Sequence, residues 1–547
     1  MENAKKFILK HKYVILFLIC IDCLFLGSFK NLFDGIRNPF SLMFIIVSQL
    51  MVLWLIAACA KNRKITAKNI IFFIFAMGFL LRLVYILSTN GSMTSQGYFI
   101  PRQHDVHWFF GPDEYRTGLK NGHAAYIEYF YFGNGLPDFD VRKIWQFYHP
   151  PLWHMICALW LKIQTVLGIT YTAAIENLQL LSLFCSSMIM LLAHRLFGLF
   201  RLKGKALIIA FSIAAFHPAF IMLAGSINND VLSIMLILMS LVFAVEWYRQ
   251  PGFRKILKLA LSIGLAMAAK LSGAIVAIAV AFLFVLKFIK QCVKKEKVWN
   301  FIGQYAAFLG VCAPIGLFYG IRNLIKFKVP LLYVPELSIN STQYIGSHSV
   351  FERLFDISSL WETGIYPARA TEYLAGKYGY TYYDYNIPVS VLKSSVFGEY
   401  YFGADSALTK AIASVMFWSA AVLAVLSAVC VVIFIIKLIK GRINQSKNGI
   451  IFENENGFSF SEGVFTLIFY FSMILSYTKF CFDFPHFCTM DFRYIALTVV
   501  VGALYIGLFS KKLLKNNNMS GKIVFACIAL TTVLFALSTS LIYAFAV

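Results

Sequence analysis

The sequence predicts an all-α polytopic membrane protein, and three observations predict it. Of the 547 residues, 59% are hydrophobic and only 14% are charged, against about 45–50% and 25% in an average soluble domain. The mean hydropathy is +0.72. The apolar residues also gather in blocks of roughly 17 to 25, the length a helix needs to cross about 30 Å of hydrocarbon. Transmembrane β-strands would be short and alternating, whereas stretches such as 206–225 are apolar on nearly every face, so a barrel is excluded.

In chain order the blocks place spans at 13–30, 39–60, 70–88, 176–197, 206–225, 229–247, 256–271, 273–290, 299–320, 409–437, 461–480, 494–510 and 522–545, about 13 crossings. The first is expected to be a retained helix, because no small-residue cleavage site follows it. The formal charge of +23 comes from 49 Lys+Arg against 26 Asp+Glu. These cations cluster in short segments between blocks, around Lys5, Lys64, Lys203, Arg254, Lys295, Lys440 and Lys512. Short basic loops stay cytoplasmic, so the charge marks topology, and no basic face with interleaved aromatics points to nucleic acid.

One further apolar block, 152–169, decides the threading. If it crossed, every later basic cluster would be inverted; if it lies on the outer surface, all seven are cytoplasmic together. It is therefore expected to be a juxtamembrane or re-entrant helix. The resulting organisation is an N-terminal two-helix addition (1–69), a transmembrane core (70–510) and a C-terminal cytoplasmic loop with the last helix (511–547). Two large outer loops follow, 89–175 with the juxtamembrane helix and 323–408, and long loops in a compact membrane protein are usually functional. Most of the 11 Cys fall inside apolar blocks, as small hydrophobes. Cys481 and Cys488 are expected in one outer loop, where pairing is feasible.

The first outer loop carries Arg102-Gln103-His104-Asp105-Val106-His107, then Pro112-Asp113-Glu114-Tyr115 and Gly122-His123. A carboxylate beside imidazoles can accept a proton from an attacking hydroxyl when partial burial tunes it. Asp105 is the first candidate base, with Asp113 and Glu114 as alternatives and His123 beside them. His104 and His107 are also candidate ligands of a divalent metal ion, a weak spacing against ordinary hydrogen-bonding histidines. The loop closes on Phe147-Tyr148-His149-Pro150-Pro151, in which paired prolines suit a helix entry and aromatics suit the lipid interface. At outer helix ends stand Asn228-Asn229-Asp230, Lys270, Arg322 and Asp491-Phe492-Arg493-Tyr494. Ionisable groups at membrane depth are expensive; Lys270, Arg322 and Arg493 are candidates to hold a lipid phosphate, against the plainer reading of snorkelling or an Asp230–Lys270 pair. Arg82, deep in a span, is left as a packing partner. Neither a Walker A loop nor a Rossmann fingerprint is present.

As a set, Gln103-His104-Asp105, Gly122-His123, Leu136-Pro137-Asp138, Gln146 to Leu152, Phe216-His217-Pro218, Gly225 to Asp230 and Lys393 to Glu399 resemble the membrane glycosyltransferases of the GT-C class. The likeness is to glycosyltransferase family 39, with its protein O-mannosyltransferases and aminoarabinose transferases, and it covers roughly residues 70 to 510. The resemblance implies transfer of a sugar from a polyprenyl-phosphate carrier to a protein, lipid or polysaccharide acceptor at the outer face of the plasma membrane, with inversion. It implies a carboxylate in the first outer loop, mapped on Asp105, although the family's Asp-Glu pair corresponds literally to Asp113-Glu114. It also implies basic residues at the phosphate, among which Arg493-Tyr494 matches an Arg-Tyr element. His104, Tyr148, His149, Asn229 and Asp230 are then expected to position substrate. The competing expectation is a lipid-linked oligosaccharide flippase or transporter, which would line a mid-membrane cavity with polar groups and need no large outer loops.

Overall fold

The computed structural model describes residues 39–61, 66–90, 92–93, 107–111, 118, 120–293, 298–341, 343–367, 384–398, 407–446, 460–516 and 518–546. Its helices are α1 (Pro39–Lys61), α2 (Ala67–Ser88), α3 (His123–Tyr131), α4 (Leu152–Val166), α5 (Tyr171–Glu176), α6 (Gln179–Leu199), α7 (Gly204–Phe216), α8 (Pro218–Gly225), α9 (Asp230–Arg249) and α10 (Phe253–Ala269). They continue with α11 (Val276–Val293), α12 (Trp299–Phe327), α13 (Val350–Phe355), α14 (Ser358–Thr363), α15 (Ile387–Phe397), α16 (Ala407–Ser446), α17 (Phe460–Asp483), α18 (Leu497–Asn516) and α19 (Met519–Leu541). Among the described residues the β pairing is a short parallel pair, β1 (Ser92–Met93) with β2 (His107–Trp108), and an isolated antiparallel bridge of Tyr344 with His486.

Ten helices in the described residues are long and apolar enough to cross a membrane, and the bent pair α7–α8 makes an eleventh. The protein is therefore a multi-pass helical membrane protein. The expected block 13–30 lies outside the described residues. The block expected at 256–271 is the 17-residue α10, which carries Arg254, Lys255 and Lys258 in its first turns and is shorter than its neighbours. The start of helix α1 meets the terminal turn Ile542–Ala546 that follows α19, Phe44 edge-on to Phe545 at 5.9 Å and Ser41 Oγ donating to Ala544 O at 2.7 Å.

The span expected as one helix over 206–225 is broken. Pro218 has no N–H, and the chain bends by 42° there. The Ala219 N–H is taken by His217 Nδ1 at 3.3 Å, which frees the carbonyl of Ala215. In a membrane such groups must be satisfied by neighbouring helices. Arg82, fully buried, supplies the donor: Nη1 reaches Ala215 O at 2.8 Å and Nε reaches Ser186 Oγ at 2.8 Å. Ser186 in turn donates to Phe220 O at 2.6 Å. Gly78 lets α2 approach this closely, since a Cβ there would meet Met190 Sδ at 2.9 Å.

The bundle has two chemically distinct ends. At one, Arg249 bonds Glu462 at 2.6 Å and Leu199 O at 2.7 Å, Lys511 reaches Arg201 O at 3.2 Å, and Lys290 reaches Tyr248 Oη at 2.7 Å. Arg201, Arg249, Lys290 and Lys511, from four of the basic clusters, thus gather at one end, whereas Lys5, Lys64 and Lys295 lie outside the described residues. The opposite end bears α3, α4, α13–α15 and the turn at 484–496. Helix α4 stays at that loop end: Trp153 Nε1 donates to Ile227 O at 3.2 Å near its start, and Tyr131 Oη bonds Thr165 Oγ1 at 3.3 Å near its finish. With 15 residues and an exposed row of Met155, Leu159 and Ile163, it has the form of an interfacial amphipathic helix. One correction concerns the cysteines. Cys481 is inside α17, where its Sγ meets Thr489 O at 3.5 Å, and Cys481 and Cys488 form no disulfide, because the helix turns the first away from the loop.

Two tests follow from this arrangement. Arg82→Leu leaves the Ala215 carbonyl buried without its donor, a loss of about 1–3 kcal/mol, expected as a lower melting temperature of the purified protein; an unchanged melt would show that the break is healed otherwise. Lys203→Cys and Asn340→Cys should react with an impermeant thiol reagent from opposite sides of the membrane, and reaction from one side would overturn the threading.

Candidate functional site

Three breaks in helices meet at one carboxylate. The first is the turn 226–229 before α9, where Asn228 Oδ1 accepts the Asp230 N–H at 2.9 Å and Asn229 Nδ2 donates to Ala269 O at 2.9 Å. This ties the start of α9 to the end of α10 and puts Asp230 in a first helical turn, where the helix dipole favours an anion. The second is the turn after α10. Lys270 N–H closes on Ala266 O at 2.9 Å and Gly273 N–H on Lys270 O at 2.8 Å. Only glycine fits at 273, since a Cβ would lie 2.6 Å from the Ala266 carbonyl carbon. The third is the short turn Phe492–Ile495, begun by Asp491, which accepts the Arg493 N–H at 2.7 Å.

These turns converge. Lys270 Nζ pairs with Asp230 Oδ1, and Arg493 Nε lies 3.7 Å from Asp230 Oδ2. Lys270 also sits 4.8 Å over the Tyr494 ring, with Arg493 at 5.3 Å from the same ring. Two cations thus share one carboxylate and one aromatic ring. All three charged side chains are mostly buried, at 14, 19 and 9% exposure for Lys270, Arg493 and Asp230.

The end of the first loop roofs this cluster. Gln146 adopts φ 76°, a left-handed conformation that a side chain enters only at a cost, and the chain turns there into Phe147-Tyr148-His149. Tyr319 Oη of α12 donates to Phe147 O at 2.6 Å and accepts from Tyr126 Oη at 3.1 Å. Burial raises the Tyr148 hydroxyl pKa, with the Tyr494 and Asp230 charges adding to it and Arg493 opposing. Burial holds the His149 imidazole well below its ordinary value, and Lys270, His154 and Arg493 push it the same way. Both residues therefore feel the Asp230 cluster directly.

Behind the roof stands a group of imidazoles. His123 Nδ1 and His154 Nε2 are 2.9 Å apart in stacked rings, which requires one to donate and the other to accept. His149 stacks on His123 at 5.7 Å, and His107 meets it edge-on at 5.3 Å. His104, Asp105, Asp113 and Glu114 lie outside the described residues. Among the described residues no group of three His, Cys, Asp or Glu is arranged to hold a metal ion.

Arg322 does not join the cluster. Its Nη2 donates to Pro137 O at 2.7 Å and its Nη1 to Asn323 Oδ1 at 3.1 Å, because it leaves α12 near the first loop and finds a loop carbonyl there. Beside it Lys326 bonds Asp138 at 2.5 Å. Of Lys270, Arg322 and Arg493, expected together from sequence, Lys270 and Arg493 share Asp230 and Arg322 bonds the first loop.

Two buried groups escaped sequence reasoning. Glu128, wholly buried in α3, accepts the Phe110 and Gly111 N–H groups at 3.1 and 2.7 Å and the Tyr171 hydroxyl at 2.5 Å, pinning the strand segment that holds His107. A lone acid within the aromatic run 126–132 was the available signal. Lys393 bonds Asp384 at 2.7 Å with both side chains buried; burial lowers the Lys393 pKa, and Asp384 opposes that. Ser394, next to it, accepts the Phe492 N–H at 3.0 Å, so α15 braces the turn that carries Arg493.

Fold and site together define a multi-span membrane protein with a cation pair at one helix-end surface, roofed by loops. No protein-family model matches the sequence, and no curated protein matches it. Among solved structures it is similar to the Archaeoglobus fulgidus oligosaccharyltransferase in the apo form, with TM-score 0.42 and 12% identity over 87% of this chain and 56% of that one. It is similar also to ArnT from Cupriavidus metallidurans bound to undecaprenyl phosphate, with TM-score 0.40 and 11% identity over 88% of this chain and 77% of that one. The chain thus spans little more than half the length of the first.

The buried imidazoles set a pH test. Unfolded, His149 and His154 take up protons near 6.5, whereas burial keeps both folded imidazoles neutral until well below that. Unfolding therefore binds protons as the pH falls, and stability is lost below about 6.5. The expected result is a lower melting temperature at about pH 5.5 than at 7.5, with the difference reduced in His154→Phe.

Proposed function

We propose that this chain is a GT-C membrane glycosyltransferase, which moves a sugar from a polyprenyl-phosphate donor to an acceptor at the outer face of the plasma membrane with inversion. The observation that carries the reading is the convergence of Lys270 and Arg493 on Asp230 at the loop end. Its sequence support is the family 39-like motif set. A sugar phosphate is already activated, so the enzyme must supply orientation, a base and cations for the departing phosphate. Lys270 offers a point charge and Arg493 a fork. Asp230 serves as their counter-ion until the donor phosphate binds, and the charge that they must hold rises when cleavage turns the phosphodiester into the departing lipid monophosphate.

In the reaction the acceptor oxygen attacks the anomeric carbon as the bond from that carbon to the phosphate oxygen breaks. The acceptor proton goes to a loop carboxylate, and the electron pair of the broken bond leaves with the lipid phosphate. Asp105 is assigned as that base, with the pair Asp113-Glu114 as the alternative. His123 orients the loop through His107 and His154. Tyr148, His149 and Asn229 shape the wall around the phosphate, and Arg322 secures the loop at Pro137. The acceptor is a protein, a lipid or a polysaccharide.

The test is incubation of the purified protein with a panel of polyprenyl-phosphate sugars and detection of free lipid phosphate. Asp105→Asn should lower turnover by about 10²- to 10⁴-fold while donor binding persists, and Arg493→Gln should weaken donor binding. Full activity in Asp105→Asn with loss in Glu114→Gln moves the base to the pair. Chelation with EDTA decides whether a divalent ion on His104 and His107 takes part. No release from any donor, with transport of a lipid-linked oligosaccharide in proteoliposomes, would replace this reading by a flippase.

A further inference from the structure

We infer that the outer face of α13 and α14 is a membrane-docking surface, seated in the headgroup–acyl boundary of the same bilayer that the bundle spans. The segment is amphipathic in its packing. Arg353 is turned inward, its Nη2 donating to Cys481 O at 2.8 Å and its guanidinium 4.7 Å over the Phe482 ring, and Leu354 and Leu360 pack on the core. The opposite face presents Val350, Phe351, Phe355, Ile357 and Trp361 at 62, 69, 66, 49 and 69% exposure. Five large apolar side chains this close together mark an interaction surface and not a solvated loop.

The occupant is identified by the neighbouring span. Helix α16 has a continuous exposed apolar stripe through Val415, Trp418, Val422, Val425, Val429 and Val432, its lipid-facing side. Lys437 marks the basic end, and about 20 residues of helix cross the hydrocarbon, so the opposite boundary falls near Phe417 and Trp418. Trp361 stacks on Trp418 with ring centroids 6.3 Å apart and planes 26° apart. The exposed face is therefore continuous with the lipid-facing surface and stands at the depth where tryptophan concentrates. Its only basic residue, Arg353, is buried, so the seat is apolar and aromatic and needs no anionic lipid. The same segment holds the second loop: Asn386 Nδ2 donates to Glu352 O at 3.1 Å and Tyr385 Oη to Asp356 at 2.5 Å. Through Asp384 and Lys393 it connects to the turn of Arg493, so the bilayer surface supports one wall of the polar site.

The experiment uses the full chain in nanodiscs of phosphatidylcholine alone, with an environment-sensitive fluorescent amino acid at position 351 or 355 and a control at the exposed Asp138. Phospholipid brominated in the upper acyl chain is expected to quench positions 351 and 355 several-fold more than 138, and aqueous iodide the reverse, with little change when anionic lipid is added. Equal iodide quenching at all three positions would overturn the inference. So would blue-shifted emission insensitive to brominated lipid and lost on dilution to one chain per disc, which would place a second copy on the face. A melting curve for each labelled protein, and a repeat at Val350, ensure that a misfolded variant is not mistaken for a negative result.

Discussion

The carboxylate of Asp230 is where the ends of three otherwise separate helical segments become one polar centre. Lys270 comes from the turn after α10, Arg493 from the turn before α18, and Asp230 from the first turn of α9. Each would be costly alone at this depth, because a charge withdrawn from water must be paired. Together they fix the relative positions of α9, α10 and α18 at the loop end. Asn229 at the Ala269 carbonyl and Gly273 against Ala266 show the backbone shaped to the same purpose. Tyr148 and His149 then close over a surface that the helices have already set.

The same constraint governs the interior. A helix break in hydrocarbon leaves carbonyls that water cannot reach, and the His217-Pro218 bend is tolerated because Arg82 and Ser186 reach the freed oxygens. Arg82 thereby joins α2, α6 and the α7–α8 pair. The bend also places α8 and the turn 226–229 beneath the loops, so a structural arginine far along the chain from Asp230 contributes to where Asp230 stands.

The loops are held by polar contacts inward and by apolar contacts outward. Glu128 gathers two backbone N–H groups and a tyrosine hydroxyl into α3, Arg322 and Lys326 fasten the first loop to α12, and Arg353 fastens the second to α17. Exposed apolar rows on α4, and on α13 with α14, lie on the other side. A loop with both kinds of contact is positioned between bundle and bilayer without needing a large core of its own.

The sequence by itself determined the class, the approximate place of most spans and the clustering of Arg201, Arg249, Lys290 and Lys511 at one end, because hydrocarbon thickness and unpaired charge act on each segment independently. It also determined that 152–169 stays at the loop end, since its crossing would have inverted every later cluster. It marked Asp230, Lys270 and Arg493 as unusual but left Arg322 among them. Which cations share a carboxylate depends on how helices distant in sequence lean together, and no periodicity records that. The break at His217, the role of Arg82 and the acceptance of two N–H groups by Glu128 were likewise decided only by the tertiary structure, because a buried polar group is explained by its partners, and these come from elsewhere in the chain.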